Sequence, residues 1–281
     1  MTFRWPCPSG SVTDIPQSHP RYASLKARER LVEGVRAGIT SEAGLIAHGR
    51  GEAFDYLLGE RTVEEAGEAA KVAAAMLLLA DRPVISVNGN VAALAAEKVV
   101  ALQKRVHELR FERGAKEPAF IIEVNLFHRT EDRVKAIAKV LRDKGGVSIL
   151  GEQPNARVPG LDHARALCSK SGVASADVVL IPLEDGDRAE ALRAWGKYVI
   201  AIDLNPLART SRAAHVTLVD ELTRALPTIG RTATELERRS GRTLASMVRD
   251  WDNGANLSKV LNRIASRLTS MGDEELDPEG I

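Results

Sequence analysis

Four short polar clusters in this chain carry residue types that could do chemistry. Asn88-Gly89-Asn90 follows the run PVISV, and Asn125 with His128 and Arg129 follows AFIIEV. Asp185-Gly186-Asp187-Arg188 follows DVVLI, and Asp203 with Asn205 follows YVIAI. Gly186 would let a backbone approach a ligand, and a helix beginning at Arg188 would offer free N–H groups to an anion. Asp185 and Asp187 could accept ribose hydroxyls, hold Mg²⁺ or receive an ammonium group, with at least one of them capping the helix. Asp203 could hold ribose hydroxyls, or simply close an Asx turn before Pro206. Each cluster taken alone suits ordinary turn chemistry. Four of them along one sheet rim point to a site.

A second set is basic. Ser18-His19-Pro20-Arg21 precedes Lys26, Arg28 and Arg30, and His48-Gly49-Arg50-Gly51 comes later. Arginine binds phosphate oxygens in pairs through its planar fork. Ser18 and the helix start at Pro20 could cradle a phosphate, although a solvated basic helix face explains such a run equally well.

The elements that must position these groups alternate. The stretch 1–14 reads as an irregular arm. Arg21 to Gly38 has helical spacing, Gly44 to Gly59 reads as a glycine-rich loop holding Arg50, and Thr62 with Glu65 has capping-box spacing for a helix to about Ala80. Apolar runs 83–87, 119–124, 147–150, 177–181, 198–202 and 215–219 read as strands. Helical patterns at 91–109, 131–144 and 188–195 lie between them. Continuous apolar strands alternating with amphipathic helices predict a parallel α/β sheet covered on both faces. Leu222 to Met271 is helical, broken at Gly241 and Gly254. The chain thus divides into the arm, one domain over 15–271 (a helical part 15–80, a core 83–220, helices 221–271) and an acidic tail 272–281. In such a sheet ligands bind beyond the carboxyl ends of the strands, where the four clusters fall.

Composition narrows the class. The 281 residues are 44% hydrophobic and 27% charged, enough for a real core, and the net charge of +1 gives no pull toward nucleic acid or membrane. Aromatic residues make up 4%, too few for a base-stacking platform. No apolar run is long enough to span a bilayer, and the Pro- and Gly-broken start lacks a signal-peptide core, so a cytoplasmic protein is expected. The two cysteines, Cys7 and Cys168, form no CxxC pair, and no His/Cys/Asp cluster has metal-ligand spacing. GxxxxGK[ST] and GxSxG are absent, and Gly49-Arg50-Gly51 is an incomplete GxGxxG with Phe54 at the third glycine position.

Longer blocks carry a family resemblance. IPQSHPRYASLKARERLVEGVRAGI (Ile15 to Ile39), AGLIAHGRGEAFDYLLGE, RPVISVNGNVAAL, HRTEDRVKAIA, ADVVLIPLEDGDRAEAL and AIDLNPLARTSR resemble, in order, the blocks of the archaeal phosphopantothenate synthetases, also called 4-phosphopantoate–β-alanine ligases. The resemblance covers about Ile15 to Leu268. The arm and a longer charged segment, Gln103 to Pro118, depart from it without touching a block.

The resemblance implies a Rossmann-like homodimer. It implies that 4-phosphopantoate and β-alanine are joined at the cost of ATP, with Mg²⁺, through a phosphopantoyl-adenylate, giving AMP and pyrophosphate on the way to coenzyme A. On this reading Arg28 and Arg50 contact the ATP phosphates, with Arg50 catalytic. Asp185, Gly186, Asp187, Arg188, Asp203 and Asn205 line the adenosine. Ser18, His19, Arg21, Asn88 and Asn90 hold phosphopantoate. The amine of β-alanine must lose a proton, for which His19, His48, His128 or water would serve. Two other classes stay open: a nicotinamide-dependent oxidoreductase, which a complete GxGxxG would favour, and a non-catalytic nucleotide-binding protein. Pyrophosphate release separates them from a ligase.

Overall fold

The computed structural model describes residues 15–19, 21–117 and 119–275. The arm 1–14, the expected helix start at Pro20 and the end of the acidic tail lie outside them. Among the described residues no helix is long and apolar enough to cross a membrane.

Three helices come first: α1 (Tyr22–Arg36), α2 (Glu42–Leu58) and α3 (Glu64–Leu79). The first half of the sheet follows as β1 (Val84–Val87), α4 (Gly89–Glu112), β2 (Ile121–Val124), α5 (Glu131–Asp143) and β3 (Ile149–Leu150). A small antiparallel pair, β4 (Ala156–Arg157) and β5 (Leu167–Cys168), then frames a 3₁₀ turn at Ala164–Ala166. The second half is β6 (Val178–Pro182), α6 (Gly186–Ala194), β7 (Tyr198–Ile202), α7 (Arg209–Ala213) and β8 (Val216–Leu218). Helices α8 (Leu222–Glu235), α9 (Gly241–Arg249) and α10 (Asn253–Glu275) complete it.

The sheet is parallel with six strands in the order β3-β2-β1-β6-β7-β8. The chain walks outward from β1 in one direction, then returns and walks outward from β6 in the other. This is the dinucleotide-fold order, and its reversal point lies between β1 and β6. β1 and β6 are buried along their whole length, which is why their sequences are almost wholly apolar, Ser86 excepted. Alternate strand residues serve opposite faces. Ile85, Leu180 and Ile200 join the core under α3, α4 and α8, while Val84, Val179 and Val199 join the core under α6 and the β4–β5 pair.

Several sequence expectations need correction. Gly44 to Gly59 is not a loop but lies within α2 and its cap. Ser41 caps the start by accepting from the Gly44 N–H, and Gly59 closes it in the left-handed conformation, φ 85°. Interior glycines weaken a helix, but Gly44 is needed for contact, because a methyl group there would collide with the Asn90 amide. Thr62 does not cap α3, since its hydroxyl donates to Asp220 Oδ2 at 2.6 Å and Val63 takes the cap position. Gly241 and Gly254 lie at helix starts, the breaks being 236–240 and 250–252. The β4–β5 pair was not foreseen, because two-residue strands are too short to show a period. The charged segment from Gln103 continues α4 as far as Glu112.

The Ala-rich helix α3 keeps its small residues inside: Ala69, Ala70, Ala73, Ala74, Ala75 and Leu77 are fully buried within the protomer. Their small side chains let α3 sit close to α8, α9 and β8.

Candidate functional site

Asn88 ties the reversal point together beside the β1–β6 strand pairing and the Arg188–Ser86 hydrogen bond. Asn88 leaves β1 and caps α4, its Oδ1 accepting from the Val91 N–H at 3.1 Å. Its Nδ2 donates across the seam to the carbonyls of Leu183, at 2.8 Å, and Pro182, at 3.3 Å, where β6 ends. Gly89 must be glycine, because a methyl group there would strike the Ile39 carbonyl. Asn90 Nδ2 donates to the Gly44 carbonyl at 2.8 Å, and its Oδ1 accepts from the Thr40 hydroxyl. The α1–α2 connection is thereby locked onto the start of α4. A cavity of about 250 Å³ opens at this seam, with Thr40, Ser41, Asn88, His128, Arg133 and Asp185 among its walls. The N-terminal ends of α2 and α4 face it, and α6 starts beside Asp185. Such helix ends carry free N–H groups and partial positive charge.

Two arginines add to that charge. Arg165, buried at the centre of the 3₁₀ turn, donates from Nε to Asp185 Oδ2 at 2.8 Å and from Nη1 to the Asn125 carbonyl at 3.0 Å. Its Nη2 lies 2.9 Å from Glu184 Oε1. Arg133 on α5 holds the carbonyls of His128, at 2.5 Å, and Ile39, at 3.1 Å. Its Nε is buried with no hydrogen-bond partner among the described residues. Burial, then the nearby Arg165 charge, lowers the Arg133 pKa from its ordinary value. His128 and Phe127 stand at the mouth, their rings edge to face at 4.9 Å. His163 lies 5.1 Å from Phe127 and bonds Asp187 at 2.8 Å. Burial alone raises the Asp187 pKa, but the His163 and Arg188 N–H bonds bring it below the ordinary value.

Helix α2 runs along the carboxyl rim from this seam to the far strands. Gly44 touches Asn90, Gly51 approaches Leu204 beyond β7, and Asp55 pairs with Arg224 beyond β8. Arg28 on α1 donates from Nε to both oxygens of Glu52 at 3.0 Å and from Nη2 to the Tyr56 hydroxyl at 3.3 Å. Arg21 lies over the Tyr56 ring at 4.6 Å. Arg50 is exposed, and its charge acts on Asp203.

The structure therefore divides the residues singled out in the sequence. Asn88, Asn90, His128 and Asp185 come together at the seam. Arg21 and Arg28 pack between α1 and α2, and His19, in the turn before α1, accepts the Arg21 N–H on Nδ1 at 3.0 Å. Ser18 lies in the same turn. Arg50, Asp203 and Asn205 belong to the end of β7. Asp203 Oδ1 accepts from the Asn205 N–H at 2.9 Å, an Asx turn. Arg188 does not face the rim, because its side chain is fully buried against Ser86 and Glu184. Gly186 serves helix packing, since a methyl group there would strike Arg209. Asp185 occupies the cap position of α6 without making the cap hydrogen bond, its carboxylate being held by Arg165.

Arg165, Arg133 and Thr40 were missed. Arg165 sits in a stretch without periodicity, and only the fold brings it to Asp185. Arg133 had a faint signal in the basic run HRTEDR.

Burial pushes the Asp203 carboxyl up to about 6, opposed by the Asn205 N–H and the Arg50 charge. An acid raised in the folded state adds stability that is full below its unfolded value, about 4, and lost as pH rises through about 6. Asp203→Asn should then gain melting temperature over the parent between about pH 4 and pH 6 and hold that gain above. Melting curves across this range check it, and a pH-independent difference would refute it.

A family model described as phosphopantothenate/pantothenate synthetase matches residues 65–267. The chain is 50% identical over 264 residues to a protein of Thermococcus kodakarensis named 4-phosphopantoate–beta-alanine ligase, covering 94% of this chain and 97% of the relative. Relatives of the same name from Methanosarcina mazei and Methanospirillum hungatei are also 50% identical, over 263 and 259 residues. These matches cover 94% and 92% of this chain, and 99% and 100% of the relatives.

Proposed function

Because this chain belongs to the phosphopantothenate/pantothenate synthetase family, we propose that it joins 4-phosphopantoate to β-alanine with ATP, forming 4′-phosphopantothenate, AMP and pyrophosphate for coenzyme A synthesis. The observation that carries this reading is the seam cavity, where helix N-termini and two arginines converge on one space. That is an environment for phosphoryl oxygens.

A carboxylate oxygen of phosphopantoate attacks the α-phosphorus of ATP, and the bond to pyrophosphate breaks. The amine of β-alanine then attacks the acyl carbon, AMP leaves with the bonding electrons, and the amine proton passes to a base. Charge builds on phosphate oxygens in the first step, so fixed cations and helix dipoles lower the barrier. Arg133 offers a buried Nε toward these oxygens, and Arg165 keeps Asp185 from repelling them. Asp203 and Asn205 receive the ribose, and Arg50 closes over the phosphates from α2. Asn88 and Asn90 shape the phosphopantoate end through the backbone they hold. Mg²⁺ would arrive on the ATP phosphates, as this ion usually does. A reaction that consumes ATP and coenzyme A precursors belongs in the cytoplasm.

The purified protein should release AMP and pyrophosphate only with ATP, 4-phosphopantoate and β-alanine all present. ADP and orthophosphate as products would mean an acyl-phosphate route and sink the adenylate. The assembly we propose is a symmetric dimer, the commonest oligomer. Since α3 is consumed internally, its apolar contacts come from side chains left exposed, such as Ile46 on α2 and Leu268 and Met271 on α10. Light scattering at micromolar concentration should give twice the chain mass, and a monomer would overturn the dimer.

A further inference from the structure

The basic block at the start of α1 takes no part in the seam, yet it faces a cavity of its own. This space, about 150 Å³, lies between α1, α2 and α8 and is lined in part by Arg21, His48, Glu52, Asp55, Glu221 and Arg224. Most of its charges are already matched. Arg224 is held between Asp55 and Asp220, and Glu52 receives Arg28. Two groups have buried atoms without a partner. Arg21 Nε and Nη2 are buried without a hydrogen-bond partner among the described residues, the nearest carboxylate oxygen, on Glu52, standing 3.9 Å from Nη2. Glu221 accepts from the Thr223 N–H on Oε2 at 2.7 Å, but its Oε1 is buried with no partner.

Buried polar groups without partners are costly, so the cavity is complementary to a molecule that supplies both missing partners. That molecule carries a carboxylate for the Arg21 fork and an ammonium for Glu221, and a volume of about 150 Å³ limits it to a small one. We propose that this cavity binds β-alanine as a zwitterion and that His48 takes the proton its amine must lose, an assignment that rests on the ligase reading above. Two placements fit. Ala47 lines the seam cavity and His48 lines this one, so the two spaces share α2 as a wall. Leu204, next to Asp203, also lines it, which sets the amine beside a nucleotide whose ribose Asp203 holds. Burial, only partly opposed by Glu52 and Glu221, lowers the His48 pKa from its ordinary value, which keeps the ring able to accept a proton near neutrality.

The test separates the two half-reactions in the full-length enzyme. Phosphopantoate-dependent exchange of pyrophosphate into ATP reads adenylate formation without β-alanine, and amide formation reads the whole. Glu221→Gln should raise KM for β-alanine at least about thirtyfold. His48→Asn should lower kcat of amide formation about 10²- to 10⁴-fold. Exchange should stay within about twofold of the parent in both, because neither group serves the first step. Equilibrium dialysis with β-alanine should show binding to the parent and little to Glu221→Gln. An unchanged KM in Glu221→Gln, exchange falling in parallel with amide formation, or a kcat loss in His128→Asn but not in His48→Asn would each overturn the assignment. No exchange in the parent enzyme would instead refute the adenylate reading itself.

Discussion

Replacing Arg165 with methionine should cost about 3–5 kcal/mol, because removing one partner of a buried ionic set strands the others. Glu184 would keep only the Arg188 side of its pairing, Asp185 would turn loose at the start of α6, and the Asn125 carbonyl would lose its donor. With roughly 2–4 °C per kcal/mol for a chain of this size, the melting temperature should fall on the order of 10 °C. Whatever remains folded should also turn over about a hundredfold more slowly, since a shift of an ångström at a reacting centre has effects of that size. Arg165→Lys should recover little, because an ammonium cannot fork to three separate acceptors. A melting temperature within about 2 °C of the parent would show that the cluster is not an energetic centre.

The second large effect is expected at Asn88. Alanine there removes the α4 cap, worth about 0.5–2 kcal/mol, and leaves the carbonyls at the end of β6 without a donor, a further 1–3 kcal/mol or so. Aspartate makes the sharper experiment. Asn88→Asp keeps the oxygen that accepts from Val91 but sets a negative charge against two carbonyls and beside the proposed phosphate site. Asn88→Asp should therefore retain the cap yet lose more adenylate formation than Asn88→Ala. Pyrophosphate exchange and melting curves on the pair decide it. If the aspartate variant is the more active, Asn88 is only a cap and the seam is not the phosphate site.

How much of this was legible follows from where each signal lives. The runs VISV, VVLI and YVIAI gave away the strands because both faces of the sheet are covered and apolar, mostly β-branched residues dominate them, with Ser86 the polar exception in VISV. Asn88 and Asp185 were legible as rim residues because strand ends in such a fold point one way. The family blocks were legible as well, and relatives 50% identical along the chain bear them out. Helix α2 was misread because its glycines hid the helical pattern, and Gly44 answers to a neighbour distant in sequence, Asn90. Glu123 was read as part of an apolar strand, yet it is fully buried and accepts from the N–H groups of Ser169, at 2.6 Å, and Val173, at 2.7 Å. Arg188 looked like a ligand residue because its local sequence cannot reveal that it turns inward to Glu184. Each of these depends on partners that only the tertiary fold selects.

The order of the strands also dictates when a working enzyme can first exist during folding. β1 to β3 and β6 to β8 can each form from neighbouring segments, as ordinary strand–helix–strand units. Their junction requires Asn88 to find Leu183, 95 residues further along the chain. Closing so long a loop is an entropic cost met late, and sheets with such distant pairings fold slowly. The seam cavity sits on that junction, so neither half assembles it alone. A nascent chain released before β6 has formed would hold a hydrophobic sheet edge and no substrate, which makes the newly made protein dependent on finishing before it can be stabilised by what it binds.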